Sequence, residues 1–148
     1  MTKKNTSSAF QKRHEARKAG IQILYRWQMN EELSRQLFSD FVAENNMAVV
    51  DAEYLQRLFL GVTENLAEVD EAITPALDRK LSLLNPVELA ALRQATFELM
   101  QCVEVPYKVV INEAIELVKE FGADGGHKYI NGVLDKLVLT LRKAETAS

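Results

Sequence analysis

Two stretches of this sequence collect side chains suited to binding phosphates and unstacked bases. The first, KRHEARKAGIQILYRW, holds Lys12, Arg13, His14, Arg17, Lys18, Gln22 and Tyr25. The second, HKYIN, holds His127, Lys128, Tyr129 and Asn131. Lysine and arginine near a helix start neutralise phosphates, while amides and aromatic rings bond to or stack on single-stranded bases. Each residue also has a plainer use. Tyr25 and Tyr129 are equally suited to packing in a core, and Asn131 to capping a helix or bonding a backbone carbonyl. Catalytic chemistry fits less well. His14 and His127 are the only histidines and stand in different contexts. There is no HExxH pattern and no serine elbow. The segment GADGGHK lacks the GxxxxGK[ST] spacing of a phosphate loop and follows a helical pattern, not a strand. The expectation is a protein that is not an enzyme and uses no cofactor and no metal.

Charge sharpens the first stretch. The chain carries a net charge of -3, yet residues 1–18 hold six basic side chains against the single acid Glu15. A basic start on an acidic body points to a local polyanion site, or else to a solvated tail. Cys102 is the only cysteine, which rules out an internal disulfide and fits a small core residue. No apolar run approaches the ~20 residues of a membrane helix, and no signal-peptide pattern follows the basic N-terminus. The expectation is a cytoplasmic protein that is not bound to a membrane.

Helical periodicity must position these residues. Residues 1–8 are polar and read as a loose arm, 9–143 as one domain and 144–148 as a short tail. A long helix should run from about Ser8 to about Met29, with Ala16, Gly20, Ile23, Leu24 and Trp27 as its buried stripe. Arg13 and Arg17, four apart, share a flank of that stripe. A second helix covers Leu33 to Glu44. Asp51 caps a third, in which Gly61 marks a close helix contact. Val69 to Leu81 reads as a fourth, shorter helix that Pro75 should start, kink or split. The clearest start is Asn85-Pro86 with Glu88 three after the cap, opening a helix to about Cys102. Pro106 opens the next, which Gly122 stops. The last carries Tyr129, Ile130, Val133, Leu134, Leu137 and Leu141. The fold class is all-α, a compact single-domain bundle of about seven helices.

Three blocks add a resemblance. In the first, Arg13, His14, Ala16, Arg17, Gln22, Leu24, Tyr25 and Trp27 follow a pattern of RRxAR and then ALQxLYxW. In the second, NPVELAALRQATFEL places Arg93 and Glu98 in a helix around ILR…YEL. The third is VPYKVVINEAIELVKEFG followed by HKYINGVLDK. In this order and spacing, over about residues 10–142, the chain resembles the NusB family of bacterial transcription antitermination factors.

The resemblance implies binding of boxA-type single-stranded RNA from ribosomal RNA leader transcripts. The small-subunit ribosomal protein NusE would be the partner, within an antitermination complex on RNA polymerase. A homodimer is a further possibility. The RNA-facing positions it implies are Lys12, Arg13, His14 and Arg17, with Gln22 and Tyr25, and Lys128 and Tyr129 on the other side of the RNA path. Arg93 and Glu98 would face the partner, Arg93 either supporting Glu98 or forming a buried salt bridge. Asn112, Glu113 and Asn131 would lock the helix ends that shape the site. His14 departs from the pattern by replacing an arginine, which weakens phosphate attraction there. Tyr129 stands where the family often has Phe, and Gly125-Gly126 where its loop is often more acidic. Domains of this kind also occur fused to RNA cytosine methyltransferases; at 148 residues without a cofactor motif, methyl transfer is not expected.

Overall fold

The computed structural model describes residues 8–122 and 125–147. The expected arm, part of the Gly-rich loop and the final residue lie outside the described residues. Eight helices form among the described residues: α1 (Ala9–Met29), α2 (Ser34–Glu44), α3 (Ala52–Glu64), α4 (Leu66–Ile73), α5 (Pro86–Gln101), α6 (Tyr107–Phe121), α7 (Gly126–Leu141) and α8 (Lys143–Thr146).

Side-chain caps set three of the helix starts. The Ser8 hydroxyl accepts from the Gln11 N–H, Asp51 from that of Tyr54, and Asn85 from those of Val87 and Glu88. Each satisfies donors that a helix start leaves without an internal partner. The fourth helix departs from expectation. It begins at Leu66 and ends at Ile73, and Pro75 sits in a separate 3-10 turn, Thr74–Ala76. Proline has no N–H to give to the preceding turn, so it fits the new start better than a helix interior. Gly122 stops α6 in an extended conformation, and Gly125 supplies the left-handed residue (φ 85°) just before α7. Lys143–Thr146 forms α8, in which Glu145 accepts from the Tyr107 N–H and from Arg142.

α5 is the axis of the bundle. Every residue from Ala90 to Leu99 is buried, so this helix has no solvent face, as a helix enclosed on all sides requires. α1, α3, α4, α7 and α6 surround it in that order, and α2 packs outside α1 and α3. Two glycines let helices close on the axis. A Cβ at Gly20 would meet the Gln94 side chain, and one at Gly61 would run into the Phe97 ring. The core is continuous, with Phe59, Leu24, Leu92, Leu99 and Ile130 fully enclosed. Burying an aliphatic or aromatic side chain of this size contributes roughly 1.5–3 kcal/mol.

Candidate nucleic-acid interface

The polar residues of α1 divide into an inward set and an outward set. Arg17 points inward and is only 2% exposed. Its Nε donates to Glu98 Oε2 at 2.9 Å and Oε1 at 3.1 Å, its Nη2 to Glu98 Oε2 at 2.6 Å, and its Nη1 to Glu113 Oε1 at 3.1 Å. The Tyr54 hydroxyl donates to Glu98 Oε2 at 2.6 Å, and His14 Nδ1 lies 2.9 Å from Glu113 Oε1. Gln94 Nε2 donates to the Arg17 carbonyl at 2.9 Å. Burial alone would favour a neutral guanidine. The bonds to Glu98 and its charge outweigh that, so the pKa of Arg17 lies above its ordinary value. Burial, followed by the charge and bond of Glu98, likewise raises the Tyr54 phenol well above the tyrosine range. Arg17 is therefore held charged and Tyr54 neutral, and their bonds clamp α1 onto α3, α5 and α6.

Arg13 is in the outward set. Its guanidinium lies over the Tyr54 ring, 4.1 Å from the centroid, with Nε 3.9 Å from Asp51 Oδ2. Arg57 approaches the same ring at 5.9 Å while bonding Glu104 at 2.8 Å and the Gln101 carbonyl at 2.9 Å. Tyr54 thus carries a buried hydroxyl at one end and a stacking surface for exposed cations at the other. Lys18, Gln22 and Tyr25, at helical i, i+4, i+7 spacing, continue an outward stripe along α1. Gln22 and Tyr25 are exposed, and Lys18 makes a surface pair with Glu120 at 2.7 Å.

A second polar cluster sits where α7 begins. The Tyr129 hydroxyl donates to Asp78 at 2.9 Å, Arg79 covers its ring at 4.4 Å, and Lys128 is exposed beside it. The bonds from Arg79 and then Tyr129 hold the Asp78 carboxyl down at about 2. The pairs His14–Glu113 and Lys18–Glu120 show α1 and α6 running in the same direction. Arg13 is therefore at the α6 start and Lys128 just beyond its end, separated by the length of α6, roughly 22 Å at 1.5 Å per residue.

A NusB family profile matches residues 14–139. The chain belongs to the NusB family. The transcription antitermination protein NusB of Colwellia psychrerythraea is 48% identical over 133 residues, 90% of this chain and 96% of that protein. Among solved structures, T. maritima NusB superposes with a TM-score of 0.80 at 27% identity, over 91% of this chain and 96% of that one. The NusB chain crystallised with NusE and double-stranded RNA gives 0.73 at 29% identity, over 84% and 93%.

Placed on this NusB fold, the residues expected to act together fall into different settings. Lys12, Arg13 and His14 gather at the α1 start, half-buried with part of each side chain in solvent. Arg17 does not join them: at 2% exposure its guanidinium is buried and bonded to two carboxylates, an inward setting that differs from the surface RNA contact expected of it. Glu98 is 1% exposed and cannot meet a partner at the surface. Arg93 takes the buried salt-bridge alternative, bonding both oxygens of Asp70 at 2.9 Å and Gln28 at 3.0 Å. Of the three residues expected to lock helix ends, Glu113 lies mid-way along α6 and ties it to His14 and Arg17 of α1. Asn112 and Asn131 are exposed, and neither side chain bonds another described residue. Tyr54, Arg57, Asp78 and Arg79 were not anticipated. Tyr54 reads in sequence as one more apolar position of α3; the available signal was its spacing, three after Asp51 and three before Arg57. Among the described residues no cluster of metal-ligating side chains forms, and no helix is long and apolar enough to cross a membrane.

Proposed function

We propose that this protein is a non-catalytic antitermination factor of the bacterial cytoplasm. It binds boxA-type single-stranded RNA of ribosomal RNA leader transcripts together with the ribosomal protein NusE, as part of an antitermination complex on RNA polymerase. The observation that carries the reading is the α1 start: three cationic or protonatable side chains at the surface of a NusB-family chain, on a turn fixed from beneath by Arg17, Glu98 and Glu113. Such fixing lowers the ordering cost of binding.

Contact with RNA would begin at Lys12, Arg13 and His14 and follow the outward stripe of α1 through Gln22 and Tyr25. Lys128 and Tyr129, beyond the far end of α6, form the second contact. Backbone charge would steer encounter, while Tyr25 and the amides supply the sequence-tolerant stacking and bonding that single strands use. With Arg93 and Glu98 turned inward, the partner surface must be made by exposed residues instead.

The test is a titration of a boxA oligonucleotide and a scrambled control, each with and without NusE. Tighter binding of boxA, strengthened by NusE, is the expected result. Equal affinity for both RNAs in the presence of NusE would remove the proposal. Recovery of NusE after nuclease treatment, with no RNA binding by the pair, would leave a protein-interaction module instead.

A further inference from the structure

Beside the α1 start is a hollow of about 280 Å³. Ala9, Phe10, Val105, Pro106 and Val109 wall it, Arg13 and the buried Arg17 line it, and the carboxylates of Asp51 and Glu104 stand at its rim. Phe10 is 54% exposed, an unusual placement for a large apolar ring in the first turn of a helix. The volume is at the low end of small-molecule sites. We propose that this hollow holds one unstacked nucleobase of the bound RNA, stacked on the free face of the Arg13 guanidinium.

Three observations carry the proposal, which rests on the RNA-binding reading above. First, Tyr54 covers one face of Arg13 at 4.1 Å and does not itself line the hollow, whereas Arg13 does. The guanidinium therefore has a second face for a planar ring, and guanidinium planes stack on bases. Second, five of the nine lining residues are aliphatic or aromatic, and Arg17 among the charged ones is already bonded to Glu98 and Glu113, so the lining suits a base better than a phosphate. Third, Asp51 and Glu104 repel phosphate oxygens but accept hydrogen bonds from ring and exocyclic N–H groups. Asp51 already accepts from the Tyr54 N–H and Glu104 from Arg57, which fixes both carboxylates and leaves acceptor positions open. The backbone of the RNA would pass over Lys12 and His14, with one base turned inward. Adenine, cytosine and guanine bring amino groups to the rim; uracil brings a single ring N–H between two carbonyls, so it is the disfavoured occupant.

The experiment uses the full chain with NusE and a boxA RNA, compared with RNAs carrying one abasic site at each successive position. Ala9→Trp plugs the mouth from an exposed first-turn position, and Phe10→Ala removes a wall. One abasic position is expected to weaken binding roughly 5- to 150-fold, the range for loss of one stacked base. Both variants should weaken the parent RNA by a similar factor, leave the salt slope unchanged, and have no further effect on the RNA abasic at that position. Parent RNA binding that Ala9→Trp leaves intact would overturn the base pocket while keeping the RNA-binding reading. So would a variant effect that persists on every abasic RNA, or one that appears only as a changed salt slope. Failure of the parent RNA to bind the unmodified protein would overturn both.

Discussion

Arg17→Met is the sharpest perturbation available, because sequence and structure assign Arg17 opposite roles. As a phosphate contact, the residue could be lost with little effect on folding and a measurable effect on RNA binding. As the centre of a buried network, it leaves Glu98 and Glu113 enclosed without their cation. Three short bonds join Arg17 to Glu98 and a fourth joins it to Glu113. Removing one partner of a buried pair costs about 3–5 kcal/mol, chiefly because the remaining charge stays desolvated. Against a total stability of about 5–15 kcal/mol, that is a large fraction. At about 2–4 °C per kcal/mol for a domain of this size, the melting temperature should fall by roughly 6–20 °C. The assay is thermal and urea unfolding followed by circular dichroism, paired with RNA titration over a range of salt. Glu98→Leu added to Arg17→Met removes the stranded carboxylate and should restore at least about 1 kcal/mol, as coupled neighbours do in a double-mutant cycle. Arg13→Ala is the contrasting variant: near-native stability and a salt slope shallower by about 0.7, one single-strand phosphate contact. A native unfolding midpoint for Arg17→Met, combined with a shallower salt slope, would refute the inward assignment.

The same packing yields further expectations. Gly61→Ala gains about 1 kcal/mol of helix propensity, but its methyl meets the Phe97 ring, and overpacking costs about 1–3 kcal/mol; a net loss of up to about 2 kcal/mol, read by urea unfolding, is expected, and a stabilised variant would contradict the contact. Arg142 is buried, its guanidinium donating to the Leu99 carbonyl at 2.8 Å and the Cys102 carbonyl at 3.1 Å at the end of α5. Arg142→Ala should therefore cost about 1.5–3 kcal/mol, the range for charge-assisted bonds. Tyr54 supplies a pH dependence. Its folded pKa is raised above the unfolded value near 10, so above that pH the unfolded chain releases a proton that the folded chain keeps. Its contribution is complete below about pH 10 and declines as pH rises further; Tyr54→Phe should flatten that alkaline decline, and an identical decline in the variant would count against the buried phenol.

The helices were largely legible in the sequence because their signals are local. Ser8, Asp51 and Asn85 announce starts through side chains that bond N–H groups two or three residues on. Apolar spacing gave the inward faces, and the three motif blocks gave the family. Local signals failed where spacing is ambiguous. Val69 to Leu81 reads as one helix that Pro75 starts, kinks or splits, and only the structure selects a separate 3-10 turn beginning at Thr74; α8 carries a contact from Glu145 to the Tyr107 N–H, 38 residues away, that no local spacing announces.

The division of the site was not legible. Arg13 and Arg17 are the same residue type on the same flank of one helix, and no property of α1 alone separates them. Their difference comes from Glu98 and Glu113, 81 and 96 residues further along. Once α5 and α6 close on α1, those carboxylates are buried and must be neutralised, and Arg17 is the cation within reach. Arg13, one turn earlier, meets only the Tyr54 face and the rim of a hollow, so it keeps its charge at the surface. Sequence alone determined that a basic helix start exists and which family it belongs to. The tertiary structure decided which of its cations hold the fold together and which remain free to bind.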